Sequence, residues 1–183
     1  VPLLGPDDAL PRRPARVLVA GASGAGKTTL AGRVSAVLGV PHVELDGLYH
    51  GPGWVPRPEF EQDVHRFTAD PAWVTEWQYG TVRPHLLGRA DLLVWLDLPR
   101  WVVQRQLVRR TVVRRVRREL LWNGNVEPPF RTLITDPDHV VRWSWRTHRS
   151  NADRVRGVLR ERPDLPVVRL RTRREADRWV RGL

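Results

Sequence analysis

The run Gly21-Ala22-Ser23-Gly24-Ala25-Gly26-Lys27-Thr28 fits the pattern G-x4-G-K-[ST] at every position, and few eight-residue strings constrain a fold so tightly. Just before it, Arg16-Val17-Leu18-Val19-Ala20 has the form of a buried parallel strand. After it, residues 28–38 place Leu30, Val34, Val37 and Leu38 on one helical face, and Gly39 ends that helix. A strand, a glycine-rich turn and a helix in this order let backbone N–H groups turn inward around a phosphate, and the helix N-terminus adds a favourable dipole. Residues 21–29, Thr29 included, are therefore expected to cradle the phosphates of a nucleotide. Lys27 would reach the β- and γ-phosphates, and the Thr28 hydroxyl would hold Mg²⁺. Lys27 is the one lysine among 31 basic residues, and its compact ammonium suits this role better than a guanidinium would.

Further strands are expected at 42–45, 73–76, 92–96 and 167–170. Helices are expected at 100–121, where Val108, Val112, Val116 and Leu120 recur four apart, and at 138–161, entered through Asp136-Pro137. Strands alternating with helices predict a parallel α/β sheet. Residues 1–15 are proline-rich and aperiodic, which reads as a disordered N-terminal arm, and 16–183 then form one domain. No apolar run approaches 18 residues, so no membrane span is expected, and 28% charged residues point to a soluble globule. The absence of cysteine excludes a disulfide framework, a zinc knuckle and a thiol nucleophile, and fits a cytoplasmic protein. The first residues hold neither a basic n-region nor an apolar h-region, so no signal peptide is expected.

Four stretches together carry a resemblance: GASGAGKTT at 21–29, ELDGLYHGPGW at 44–54, WVTEWQY at 73–79 and WLDLPRW at 95–101. They resemble P-loop kinases of the adenylate kinase and shikimate kinase type, and more closely the DNA topology modulation proteins. The resemblance implies a three-layer P-loop NTPase fold: a five-stranded parallel sheet in the order 2-3-1-4-5 with an arginine-rich helical lid over about 105–135. It also implies transfer of the ATP γ-phosphoryl group to an acceptor, and it does not supply that acceptor. Asp46 stands where relatives place a carboxylate facing the acceptor; it would orient or deprotonate an acceptor hydroxyl, or else make a turn hydrogen bond in its Asp-Gly context. His50 and Trp54 continue the motif into the same pocket, or serve a loop and a core edge. Glu76 closes the third strand, where its carboxylate would face magnesium through water. Relatives more often carry Asp-Gly there, and Glu76-Trp77 departs from that. Gln78, Tyr79 and Arg83 would read the acceptor through hydrogen bonds and charge, with plain packing as the other reading of Tyr79.

Charge is divided unevenly, with a net −2 over residues 1–99 and +13 over 100–183. Eight arginines and no acid lie between Arg100 and Arg118. A solvated basic helix is the ordinary meaning of such a run, but phosphoryl transfer develops charge that arginines neutralise. Relatives carry Arg-x3-Arg after the Asp-x-Pro strand end. Counted from Pro99, the second arginine falls on Arg110 and the first on Gln106, with Arg105 or Arg109 as substitutes. Arg105, Arg109, Arg110 and Arg114 are therefore the candidate lid residues. Trp122-Asn123-Gly124-Asn125 reads as a turn at the lid tip, and Arg142, Arg146 and Arg149 recur on one face of the next helix. Three functions fit these features: a small-molecule phosphotransferase, a nucleic-acid-associated protein using nucleotide as a switch or acting on polynucleotide ends, and a nucleotide binder without catalysis. Under the first, binding of nucleic acid should be weak and non-specific. No feature fixes an oligomeric state.

Overall fold

The structure, a computed structural model, describes residues 3–117, 120–125 and 140–183, the side chains of 140–143 excepted. Six parallel strands make one sheet: β1 (Leu3–Leu4), β2 (Arg16–Gly21), β3 (His42–Val43), β4 (Trp73–Glu76), β5 (Leu92–Leu96) and β6 (Val167–Leu170), in the order β1-β6-β5-β2-β4-β3. Without β1 this is the expected order 2-3-1-4-5. The sixth strand comes from residues read as part of the arm, where Leu3 pairs with Val167 and Leu4 with Val168. Prolines and a glycine around this dipeptide hide it from any periodicity test. It forms because the outer edge of β6 leaves backbone groups that a neighbouring strand satisfies.

Helices cover both faces, and the pleat of β2 shows how. Val17 and Val19 pack on one side with Leu30 and Val34 of α1 (Lys27–Leu38). Leu18 and Ala20 pack on the other with Phe60 and Val64 of α3 (Phe60–Thr68), Leu86 of α4 (Arg83–Arg89), and Val155 and Val158 of α6 (Val140–Glu161). A strand buried on both sides reads as a continuous apolar run, which is why β2 and β5 are plain in the sequence. The short α2 (Leu45–Tyr49) follows β3, α5 (Arg100–Val116) follows β5, and α7 (Arg173–Arg181) closes the chain, with Trp179 in the first core.

Two apolar rows fall differently from the expectation. In α1 the buried residues are Leu30, Ala31, Val34 and Leu38, and Val37 is exposed. Of the expected row, Val108, Val112 and Val116 face outward on α5 and Leu120 lies beyond its end, 39 to 73% exposed, while Val103, Leu107 and Thr111 are buried. The helix seats on the row one position earlier because Leu107 fits against Gly24, where no side chain stands in the way. The α5 helix also stops at Val116, not 121, and the chain next forms a 3-10 turn at Trp122–Gly124.

Candidate active site

The phosphate loop joins β2 to α1. Gly24 and Gly26 hold φ of +88° and +95°, which side chains other than glycine rarely adopt. At Gly24 space matters as well, since a Cβ would lie 2.8 Å from the Leu107 Cβ. No side chain caps α1 and no acid lies in its first turn, so the helix presents its N–H dipoles unopposed to an anion. Lys27 Nζ reaches across the loop to the Ala22 carbonyl at 3.4 Å. Its proton affinity is lowered, first by burial, with Arg110 adding to the effect and the charges of Asp46 and Glu76 opposing it. Thr28 and Thr29 follow on the first turn of α1, and the loop is braced from α6 by Ser144 Oγ, which donates to the Ser23 carbonyl at 2.7 Å.

The residues expected to face an acceptor converge on Asp46, in the first turn of α2. Its Oδ1 accepts from Tyr79 OH at 2.6 Å and from Gln78 Nε2 at 2.7 Å. Among the described residues no donor reaches Oδ2. His50 Nε2 lies 3.4 Å from Tyr79 OH, and its ring meets Trp54 edge-on at 5.0 Å. Burial, followed by the charge of Asp46, pushes the Tyr79 phenol far above its ordinary value, so it stays a donor. Trp54, Tyr79 and Asn123 are the non-glycine residues with left-handed φ among those described, and all three belong to this cluster. Backbone strain of this kind collects at functional sites.

The Trp122–Asn125 turn is docked onto this cluster. Trp122 Nε1 donates to Glu44 Oε2 at 2.8 Å, and Asn123 Nδ2 donates to the His50 carbonyl. Asn125 accepts from the Trp54 amide at 3.1 Å and donates to the Gly51 carbonyl at 2.9 Å. Gly47 makes room for the Trp122 indole, whose Cδ1 would lie 3.0 Å from a Cβ there. Glu44 and Asn125 stand in stretches the sequence singles out, but their pairing does not show there, because a partner across 70 or more residues leaves no local pattern.

Glu76 is buried at the end of β4, and both its oxygens are engaged: Oε1 lies 3.2 Å from His42 Nε2, and Oε2 accepts from the Leu45 amide at 3.3 Å. Burial alone would raise its pKa, but the His42 hydrogen bond and charge, with the Leu45 amide, bring it below its ordinary value. Of the lid candidates, Arg110 lies within electrostatic reach of Lys27, and Arg114 sits 5.9 Å from the Trp122 ring. Arg105 and Arg109 are exposed on α5. Much of the expected lid and the Arg142 side chain lie outside the described residues. Arg146 and Arg149 are exposed on α6. Arg83 does not join the Asp46 cluster: no side-chain hydrogen bond links them, and it lines a groove between α4 and α6.

No family model and no curated protein matches the chain. Solved structures do match. A gluconokinase from Sinorhizobium meliloti 1021 aligns over 93% of this chain and 94% of its own, with 18% identity and a TM-score of 0.52. The chain has the P-loop kinase fold. A protein from Chloroflexus aurantiacus j-10-fl aligns over 93% and 97%, at 15% identity and a TM-score of 0.52. A shikimate kinase from Aquifex aeolicus vf5 aligns over 91% and 92%, at 12% identity and a TM-score of 0.49. On a P-loop kinase fold the carboxyl ends of the parallel strands define the working edge, and here that edge carries the phosphate loop, Asp46 and Glu76. No helix among the described residues is long and apolar enough to cross a membrane.

Proposed function

We propose that this chain transfers the γ-phosphoryl group of ATP to a hydroxyl of a small molecule. The observation that carries the reading is Asp46, which lies within the electrostatic field of Lys27 and takes two donors on Oδ1 while Oδ2 stays open. A carboxylate held this way can orient an acceptor hydroxyl and take its proton as the oxygen attacks phosphorus. Gln78 and Tyr79 fix its rotamer, and His50 and Trp54 wall the same pocket. The uncapped start of α1, with Lys27 and the two left-handed glycines, fits a triphosphate. Thr28 would hold Mg²⁺, which when bound neutralises charge between the β- and γ-phosphates. Glu76, engaged with His42 and Leu45, would bear on the metal through its field and intervening water. Arg110 would stabilise charge on the transferring group.

The four quoted motifs also resemble DNA topology modulation proteins, and the basic C-terminal half with exposed Trp101 and Trp145 favours a nucleic-acid-associated role as the second reading. The deciding experiment is a screen of hydroxyl and phosphate acceptors with Mg·ATP, scored as ADP release above the acceptor-free rate. With an acceptor in hand, Asp46→Asn should lose transfer by about 100-fold or more, the scale of a general base, while keeping ATP affinity. Wild-type kinetics in Asp46→Asn would return that residue to a turn-stabilising role.

A further inference from the structure

A groove of about 800 Å³ runs between α4 and α6 on the face of the sheet that carries α3. Leu87 and Val158 lie along it, and Trp77, Gly80, Arg83, Ser150 and Arg154 cluster toward the end where α4 begins. We propose that this end of the groove binds the phosphate group of a phosphorylated small molecule through Arg83 and Arg154, as a site separate from the phosphate loop and independent of the proposed phosphoryl transfer.

The argument begins with Arg83. A half-buried guanidinium ordinarily finds an acceptor for its five N–H donors. Elsewhere in this protein Arg57 reaches Asp63, Arg89 reaches the Thr68 carbonyl, Arg162 reaches Asp164 and Arg169 reaches Asp97. The Arg83 side chain donates to no carboxylate or carbonyl among the described residues; its neighbour is the Trp77 ring, 5.8 Å from the guanidinium carbon. Its proton affinity is pulled down by burial and then by the charge of Arg154. Arg154 makes one bond to a neutral partner, Asn151 Oδ1 at 3.3 Å. Two guanidinia lining one groove, neither bonded to a carboxylate, offer forked donors to an anion, and a phosphate monoester has three acceptor oxygens on one phosphorus with which to accept from both.

The surroundings are built for this placement. Gly80 leaves room for the guanidinium, since a Cβ there would lie 3.2 Å from Arg83 NH2. Trp77 is fixed by its indole N–H, which donates to the Arg83 carbonyl at 3.3 Å. Two carboxylates also line the groove. Asp153 is engaged by Arg156 at 2.8 Å, and Glu161 lies seven residues beyond Arg154 on α6, about 10 Å along the helix. The volume exceeds what a lone phosphate needs and falls in the range of small-molecule sites, so the ligand is a phosphate monoester whose organic part lies along Leu87 and Val158 against Trp77.

Calorimetric titration of phenyl phosphate into the full chain, saturated with Mg²⁺ and a non-hydrolysable ATP analogue, tests the assignment. One additional site is expected, with affinity lowered at least tenfold in both Arg83→Gln and Arg154→Gln, and unchanged in Arg178→Gln, which removes the same charge far from the groove. Arg154 is exposed on α6, so its variant should fold even if Arg83→Gln does not. Absence of binding, an equal loss in Arg178→Gln, or benzoate binding as tightly as phenyl phosphate would each overturn the proposal. So would a loss confined to single-stranded DNA with phenyl phosphate binding intact, since that would make the groove a polynucleotide surface.

Discussion

Glu76, at the end of β4, meets His42, at the start of the neighbouring β3, with Oε1 3.2 Å from Nε2, and the pair makes a residue-scale prediction about acid stability. The Glu76 carboxyl lies below its ordinary value of 4.5 in the folded chain. A depressed folded pKa means the native state releases this proton more readily than the unfolded one, so the contribution is full above the unfolded value and lost as pH falls through the folded value. Glu76→Gln should therefore flatten the acid limb of the pH–stability curve below about pH 4.5, read by thermal unfolding at intervals down to pH 3. A variant whose acid limb runs parallel to wild type would remove the pair from any stabilising role. At this scale the sequence was legible where chemistry is local. Lys27, Thr28 and the glycines stand in a contiguous motif, and Asp46, Gln78 and Tyr79 stand in short strings that the structure brings together. Arg83 sits in one of those neighbourhoods but turns to another element, because its direction depends on how α4 packs against α6.

Gly24 ties two elements together, since the phosphate loop and α5 touch there with no intervening side chain. Gly24→Ala should cost about 1–3 kcal/mol, from overpacking against Leu107 and from the left-handed backbone, and lower Tm by a few degrees. Unchanged Tm would mean that α5 shifts freely on the loop. The same contact sets the phase of α5 and so, under the proposed function, would select which arginines meet the phosphates. Arg110→Ala should lower kcat by about 10- to 1,000-fold, the effect of one charge-stabilising donor, while Arg117→Ala on the exposed last turn should have little effect. Equal losses would make general basicity, not position, the relevant property. Element existence was readable from the sequence for β2, β4, β5, β6 and α1, each marked by an apolar run or a cap. The facing row of α5 was not, because the Val108-Val112-Val116 row is the more apolar of the two, while the buried row ends in Thr111, and a glycine 83 residues away decides between them.

The whole molecule is electrically lopsided, with +13 over residues 100–183. Some of that charge is already paired, as in Arg169 with Asp97, Arg156 with Asp153 and Arg162 with Asp164. If the lid arginines serve phosphates inside the site, DNA and RNA should bind at roughly micromolar affinity or weaker at physiological salt, falling steeply as salt rises. Affinities at two salt concentrations, with and without a non-hydrolysable ATP analogue, decide the matter. Tight binding that responds to nucleotide would favour the nucleic-acid reading, because linkage requires each ligand to alter the other's affinity equally. The sheet itself has a different consequence. Its outermost strands, β1 and β3, are two residues each, so neither margin offers a long ribbon of open amides on which another molecule could grow. Removing residues 1–6 would bare the Val167–Leu170 margin, and the shortened protein should clump on mild heating, visible as rising light scatter at a temperature where the complete chain stays clear. The dipeptide at the head of the chain thus acts as a selvedge, a finished border that keeps the fabric of the sheet from catching on its neighbours.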